Sequence, residues 1–246
     1  MQGNSSGSRS RIALIALAIV LPALLVWASL TGERNPGLLS AVFMLLSMVP
    51  FFLRFERRRP QAREIVPIAV MAALAAIGRM AFAALPNFKP TTAIVIIAAL
   101  SFGPEAGFIT GSVGALVSNF FFGQGAWTPW QMFCWGMIGA VAGLLRNRAV
   151  MRNRWTLPAF GFVCGFAFDW VMNIWYVLGF IRPITWGTIL TAYAAGLWFD
   201  IAHAVSTVIF LLLLAKPWGK LLNRIKIKYG LMEEEAEKTA IEKPTP

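Results

Sequence analysis

Three charged residues stand deep inside long apolar runs of this chain: Arg79, Asp169 and Asp200. A charge at membrane depth is costly, so each needs a partner or a task. Counted at about 1.5 Å per residue from the nearest basic segments, all three fall at a similar depth, on the order of 20 Å in. A fold that brings their runs together makes one polar cluster of them, with Asn119, Asn173 and His203 within a turn or two of the same level. Two chemistries are open to such a cluster. An arginine–carboxylate pair would lock the helices, or the cluster would floor a cavity that takes a ligand. His203 reads as a hydrogen-bonded core residue rather than a ligand or proton shuttle. No nucleophile is assembled: the chain has no Ser-His-Asp logic, no H-E-x-x-H, no Asp-rich diphosphate motif and no G-x-x-x-x-G-K-[ST] loop. It is not expected to be an enzyme or to hydrolyse ATP itself. Cys134 and Cys164 sit singly in apolar runs, away from any C-x-x-C or Cys/His spacing, so neither a disulfide framework nor a metal site is expected, and no cofactor.

The polar residues between the runs suggest a binding mouth. In "SNFFFGQGAWTPWQMF", Ser118 to Phe133, Thr128 suits a helix N-cap, Pro129 the first helical position, and Gln131 completes a capping box. Trp127 and Trp130 suit an interfacial belt. Gln124, between Gly123 and Gly125 with aromatics on both sides, is not required by a turn. It fits the stacking and amide contacts that a flat, partly polar ligand wants. "ALPNFKPTTA" sets Asn87, Phe88, Lys89 and Thr91 among prolines, and "LGFIRPITWGT" adds Phe180, Arg182 and Trp186. Together the loops make a mouth for a vitamin-sized molecule.

The elements that must position these residues are membrane helices. The 246 residues are 58% hydrophobic and 13% charged, well outside the range of a soluble domain. The net charge of +11 does not indicate nucleic acid, because the basic residues cluster in gaps between apolar runs instead of along a soluble face. Runs at about 12–30, 37–53, 65–85, 105–122, 130–145, 156–178 and 190–215 have spanning length, and a shorter piece at about 91–101 reads as a short or tilted crossing. Eight crossings place the arginines of 54–63 and 146–154, and the basic stretch 216–228, on the same side as Arg9 and Arg11. By the positive-inside rule this is a multi-pass plasma-membrane protein with both termini cytoplasmic. The first run, ending near "VWAS", is also a possible signal peptide, but it is long for one, and cleavage would leave the second helix with the wrong start.

The expected organisation is an all-α membrane protein in three parts. Residues 1–63 form a transmembrane hairpin and the basic linker "RFERRRPQARE", 64–216 a six-helix body, and 217–246 a basic then acidic tail whose end is disordered. Within the tail, "KPWGKLLNRIKIKYG" reads either as an amphipathic segment on the anionic leaflet or as a basic helix end. Small residues recur at intervals of four: Ala69 and Ala73, Ala72 and Ala76, the glycines at 103, 107 and 111, and Gly139 with Gly143. Such stripes let helices approach closely, usually within one bundle, and at least one is free to face a partner.

The stretch from Asn87 to Trp135 is the most specific part of a resemblance that covers about 65–215. It resembles the substrate-binding membrane subunit, the S component, of energy-coupling factor (ECF) transporters for vitamins. The resemblance implies a six-helix bundle, from which the N-terminal hairpin departs. It implies an alanine stripe, Ala69 and Ala73 with Ala72 and Ala76 beside it, that docks on a transmembrane coupling protein carrying two ATPase subunits. It implies capture of the vitamin from outside, cobalamin first and riboflavin next, followed by toppling of the subunit in the lipid bilayer. Arg79, Asn87, Phe88, Lys89, Asn119, Gln124, Trp127, Trp130, Gln131, Asp169 and Asn173 are the residues expected near that pocket. The alternative is a self-sufficient secondary transporter in which Arg79, Asp169 and Asp200 relay protons, with an intramembrane enzyme ranked last.

Overall fold

The computed structural model describes residues 36–57 and 60–231. The expected first run, its signal-peptide alternative and the acidic end of the tail lie outside them. All regular structure among the described residues is helical: α1 Pro36–Arg57, α2 Ala62–Ala81, α3 Thr91–Phe102, α4 Pro104–Phe122, α5 Thr128–Leu145, the single turn α6 Ala149–Arg152, α7 Thr156–Phe180 and α8 Trp186–Lys228. Three of them, α2, α7 and α8, are long and apolar enough to cross a membrane.

The piece expected as a short or tilted crossing is the centre of the bundle. α3 has 12 residues, about 18 Å at the helical rise, against about 30 Å of hydrocarbon. Every residue from Ala93 to Ala99 is buried, and α2, α4, α5, α7 and α8 all pack on it. An apolar surface all round suits a helix enclosed by protein. Gly103 alone joins α3 to α4, at φ 94°, a conformation that a side chain would strain.

α4 and α5 form the most extensive helix pair, and their glycines interlock. A Cβ on Gly107 would stand 2.7 Å from the Gly139 carbonyl oxygen, and one on Gly143 would collide with Pro104. These stripes therefore serve contact inside the bundle. The alanines of α2 divide. Ala72, Ala75 and Ala76 are buried, and a Cβ on Gly114 of α4 would come within 3.2 Å of Ala75 Cβ and 3.3 Å of the Ala72 carbonyl. Ala69 and Ala73 are exposed, beside exposed Val66, Val70 and Ile77. The expectation that Ala72 and Ala76 share the outward stripe is corrected, because residues three apart in a 3.6-residue turn sit on adjacent ridges and this ridge meets α4.

α1 belongs to the same assembly. It packs on α4, α5 and α7, with Phe51 stacked on Phe108 at 4.1 Å and Arg54 Nε 2.7 Å from Glu105 Oε1. Its far side, with Val42, Leu45, Leu46, Val49 and Leu53, is exposed. At the other end of the chain, α8 runs for 43 residues through Pro217, about 65 Å. The basic segment is its continuation, and the expected boundary at 216 falls inside this one helix. Leu222 and Leu231 are buried, and Arg63 Nη1 donates to the Tyr229 carbonyl at 3.1 Å, which ties that end to the start of α2.

Candidate functional site

Arg79 sits in the last turn of α2, where the helix dipole favours a cation. It is buried, at 9% exposure. Nη1 donates to Ser118 Oγ at 2.7 Å and Asn119 Oδ1 at 2.6 Å, and the guanidinium lies over the rings of Phe122 and Trp135 at 4.6 and 5.1 Å. Ser118, Asn119 and Phe122 share the last turn of α4, so one helix end supplies both the neutral acceptors and a π face. The network continues through Asn119 Nδ2, which donates to Thr128 Oγ1 at 3.0 Å and Gln131 Oε1 at 2.8 Å. Thr128 donates in turn to Gln124 Oε1 at 2.9 Å, and Gln124 Nε2 donates to the Leu116 carbonyl at 3.1 Å.

These bonds revise the reading of the aromatic loop. The residue before α5 is Trp127, which makes no side-chain cap. Thr128 and Gln131 face the buried Asn119 amide, so the expected capping box does not form. Gln124 is exposed, yet both ends of its amide hold protein groups and tie the loop 123–127 to α4. Trp130 is buried with Met44 and Leu178, in the seam that seats α1, and not at the mouth. Trp127 stays near the surface, edge-on to Trp175 with ring centroids 6.0 Å apart.

A second network surrounds Asp169 of α7. Its Oδ2 lies 2.8 Å from His203 Nδ1, and His203 Nε2 lies 2.7 Å from Thr92 Oγ1, which also accepts from Trp135 Nε1 at 2.9 Å. The loop 82–90 descends to this level. Asn87, in the left-handed region at φ 51° that asparagine tolerates, directs Nδ2 to Asp169 Oδ1 at 3.3 Å and to the Phe199 carbonyl at 3.4 Å. Phe88 packs near Phe82 and Phe210. The Lys89 backbone exchanges hydrogen bonds with Ser206 Oγ at 3.2 and 3.3 Å, and its ammonium lies 5.2 Å from the Phe122 ring. Burial, and then the Arg79 charge, push Lys89 below the usual lysine value of 10.5.

Trp135 joins the two networks, its ring near Arg79 and stacked on Phe168 at 4.2 Å. The three intramembrane charges therefore do not form one cluster. Arg79 is held by neutral groups, Asp169 by His203, and Asp200 lies on α8 within electrostatic reach of Asp169 and His203, with Oδ2 buried and without a hydrogen bond. The expected arginine–carboxylate lock is absent among the described residues. On α7, Asn173 Nδ2 and Trp175 Nε1 are likewise buried without partners, and Gly196 of α8 leaves room for the Asn173 amide, which would stand 3.2 Å from an added Cβ. Arg182 folds back on the end of α7, donating to the carbonyls of Ile181 and Leu178 at 2.7 and 3.2 Å. Phe180 and Trp186 are exposed.

Thr92, Ser118, Phe122 and Trp135 were not singled out from the sequence. Thr92 had a signal, one of three hydroxyl residues in a helix that is otherwise apolar and packed by neighbours on every side. Phe122 and Trp135 had none, since a ring beside a cation looks like any other aromatic in an apolar run.

A family model described as "ECF-type riboflavin transporter, S component" matches residues 60–220. Among curated proteins, the chain is similar to a UPF0397 protein of Vibrio atlanticus, 36% identical over 88 residues, which are 34% of this chain and 48% of that protein. It is also similar to a UPF0397 protein of Vibrio vulnificus, 35% identical over 98 residues, 38% of this chain and 52% of the relative. The match thus spans about half the length of these relatives. No solved structure matches the chain significantly.

Proposed function

Because the chain belongs to the family of ECF-type riboflavin transporter S components, we propose that it is the substrate-specific subunit of a vitamin importer, working with a separate coupling protein and two ATPases. Eight crossings, with both termini in the cytoplasm, complete the reading. The family description moves a flavin ahead of the cobalamin that the resemblance placed first.

The observation that supports a flavin-like ligand is the set of unpartnered polar atoms on α7 and α8. Asn173 Nδ2 and Trp175 Nε1 are donors and Asp200 Oδ2 is an acceptor. A buried polar group without a partner costs about 1–3 kcal/mol, and a ligand that supplies partners recovers it. An isoalloxazine edge carries carbonyl acceptors and an imide N–H donor, and its flat ring suits Trp127 and Trp175. Asn87 reaches Asp169 and the Phe199 carbonyl, next in the chain to Asp200, from the loop 82–90, and the Arg79–Asn119 bond braces α2 against α4. α1 sits on α4, α5 and α7, which leaves Ala69 and Ala73 open to the coupling protein.

Riboflavin fluorescence provides the test. Titration of purified protein should quench it saturably, and Asn173→Leu and Asp200→Asn should each weaken binding at least tenfold while the protein still melts cooperatively. No quenching, with cobalamin retained instead, would restore the first vitamin. Retention of neither would remove the reading.

A second reading rests on the Asp169–His203–Thr92 chain, which is the kind of group that carries protons in a secondary transporter. Uptake that collapses with the proton gradient while ATP is intact would favour it.

A further inference from the structure

A cavity of about 620 Å³ opens at the end of the bundle opposite the aromatic loops, between the end of α3, the turn α6, the start of α7 and the middle of α8. Its inner wall is apolar, with Ile97, Leu100, Leu157, Leu211 and Ala215, and its rim carries Arg152, Arg154 and Lys216. Neither vitamin capture nor partner docking uses these groups.

The cavity straddles a change of environment. Along α8 the run from Ile201 to Ala215 contains no charged residue except His203 when protonated, and Lys216 is the first permanent charge after Asp200. Leu211 and Lys216 both line the cavity, so one wall passes from hydrocarbon character to charge within about 8 Å. Beside the rim, Trp155 is 67% exposed, with Arg154 Cζ 4.8 Å from its ring. An exposed tryptophan flanked by arginine marks the headgroup level of a bilayer. Arg152 and Lys216 are exposed, and among the described residues no carboxylate holds either.

We propose that this cavity binds an acidic phospholipid, its phosphate on Arg152, Arg154 and Lys216 and the first segments of a chain against Leu157 and Leu211. Basic pockets between transmembrane helices are suited to anionic headgroups, and an apolar inner wall selects an amphiphile over a free anion. The site is independent of the vitamin pocket and stands whether or not that reading does.

Native mass spectrometry of the full-length protein, delipidated and then exposed to phosphatidylglycerol, phosphatidylcholine or inorganic phosphate, tests the proposal. Phosphatidylglycerol should remain bound in preference to phosphatidylcholine. The triple variant Arg152→Gln/Arg154→Gln/Lys216→Gln should lose that preference by about tenfold or more, while its melting temperature in neutral detergent confirms that it folds. Leu211→Asn should weaken retention with the charges intact. Equal retention of both lipids, or a triple variant that behaves as wild type, would overturn the proposal. Inorganic phosphate raising the melting temperature as much as phosphatidylglycerol would show a plain anion site and also overturn it. So would lipid retention that appears only after Glu233→Gln/Glu234→Gln/Glu235→Gln, because the acidic tail would then be the occupant.

Discussion

Arg79 Nη1 lies 2.6 Å from Asn119 Oδ1, and the intramembrane arginine is held by that amide, a serine hydroxyl and two aromatic faces. Removing half of a buried ion pair costs about 3–5 kcal/mol. A neutral cradle predicts less, because the variant loses hydrogen bonds but strands no opposite charge. Arg79→Met should destabilise the protein by about 1–3 kcal/mol, measured by denaturant or detergent unfolding. A loss well above that range would mean that a carboxylate does depend on this arginine.

Thr92 is the meeting point of the second network. Thr92→Val keeps the shape but removes the acceptor for the buried Trp135 indole and the partner of His203 Nε2. The expected cost is about 2–3 kcal/mol, with a change in tryptophan fluorescence. Thr91→Val, which removes only a 3.4 Å bond to the Ala75 carbonyl, should cost less.

The glycine stripes separate by context. Gly139→Ala drives a methyl into the Gly107 backbone and should destabilise by about 1–3 kcal/mol or prevent folding. Gly179→Ala meets nothing within 4 Å and should be neutral or slightly stabilising. Comparing their melting temperatures decides whether the α4–α5 crossing is as close as described.

Adjacent alanines on α2 should fail differently. Ala73→Trp projects outward, so the protein should fold and bind its vitamin yet lose uptake. Ala72→Trp enters the contact with α4 and should impair folding itself. Uptake that survives Ala73→Trp would show that this face is not the docking surface.

Lys89 makes stability depend on alkaline pH. The unfolded chain keeps the lysine proton up to about the usual 10.5, whereas the folded chain releases it earlier, so the unfolded state binds more protons between the two values. Stability from this group therefore rises as pH climbs through that window and is lost as pH falls through the folded value. Melting temperatures from pH 8 to about 10.5 should show this rise in wild type, and Lys89→Met should flatten it.

Much of the fold follows from the sequence alone because membrane helices are written in runs of apolar residues, and the runs from 37 onward coincide with helices to within a few residues at most ends. The exception, α8, continues because an unbroken helical pattern with basic residues shows no stop where the hydrocarbon ends, and Pro217 does not end it. Charges set inside apolar runs were also legible, which is why Arg79, Asp169 and Asp200 stood out. Rotation about each helix axis was not. Whether Ala72 or Ala73 faces outward, whether Arg79 meets Asp169 or Asn119, and whether Thr128 caps its own helix or holds the Asn119 amide are all decided by which neighbouring helix each face meets. Only the packed bundle sets those faces, because side-chain pairing acts over a few ångströms between segments far apart in the chain, and no spacing along the chain encodes it.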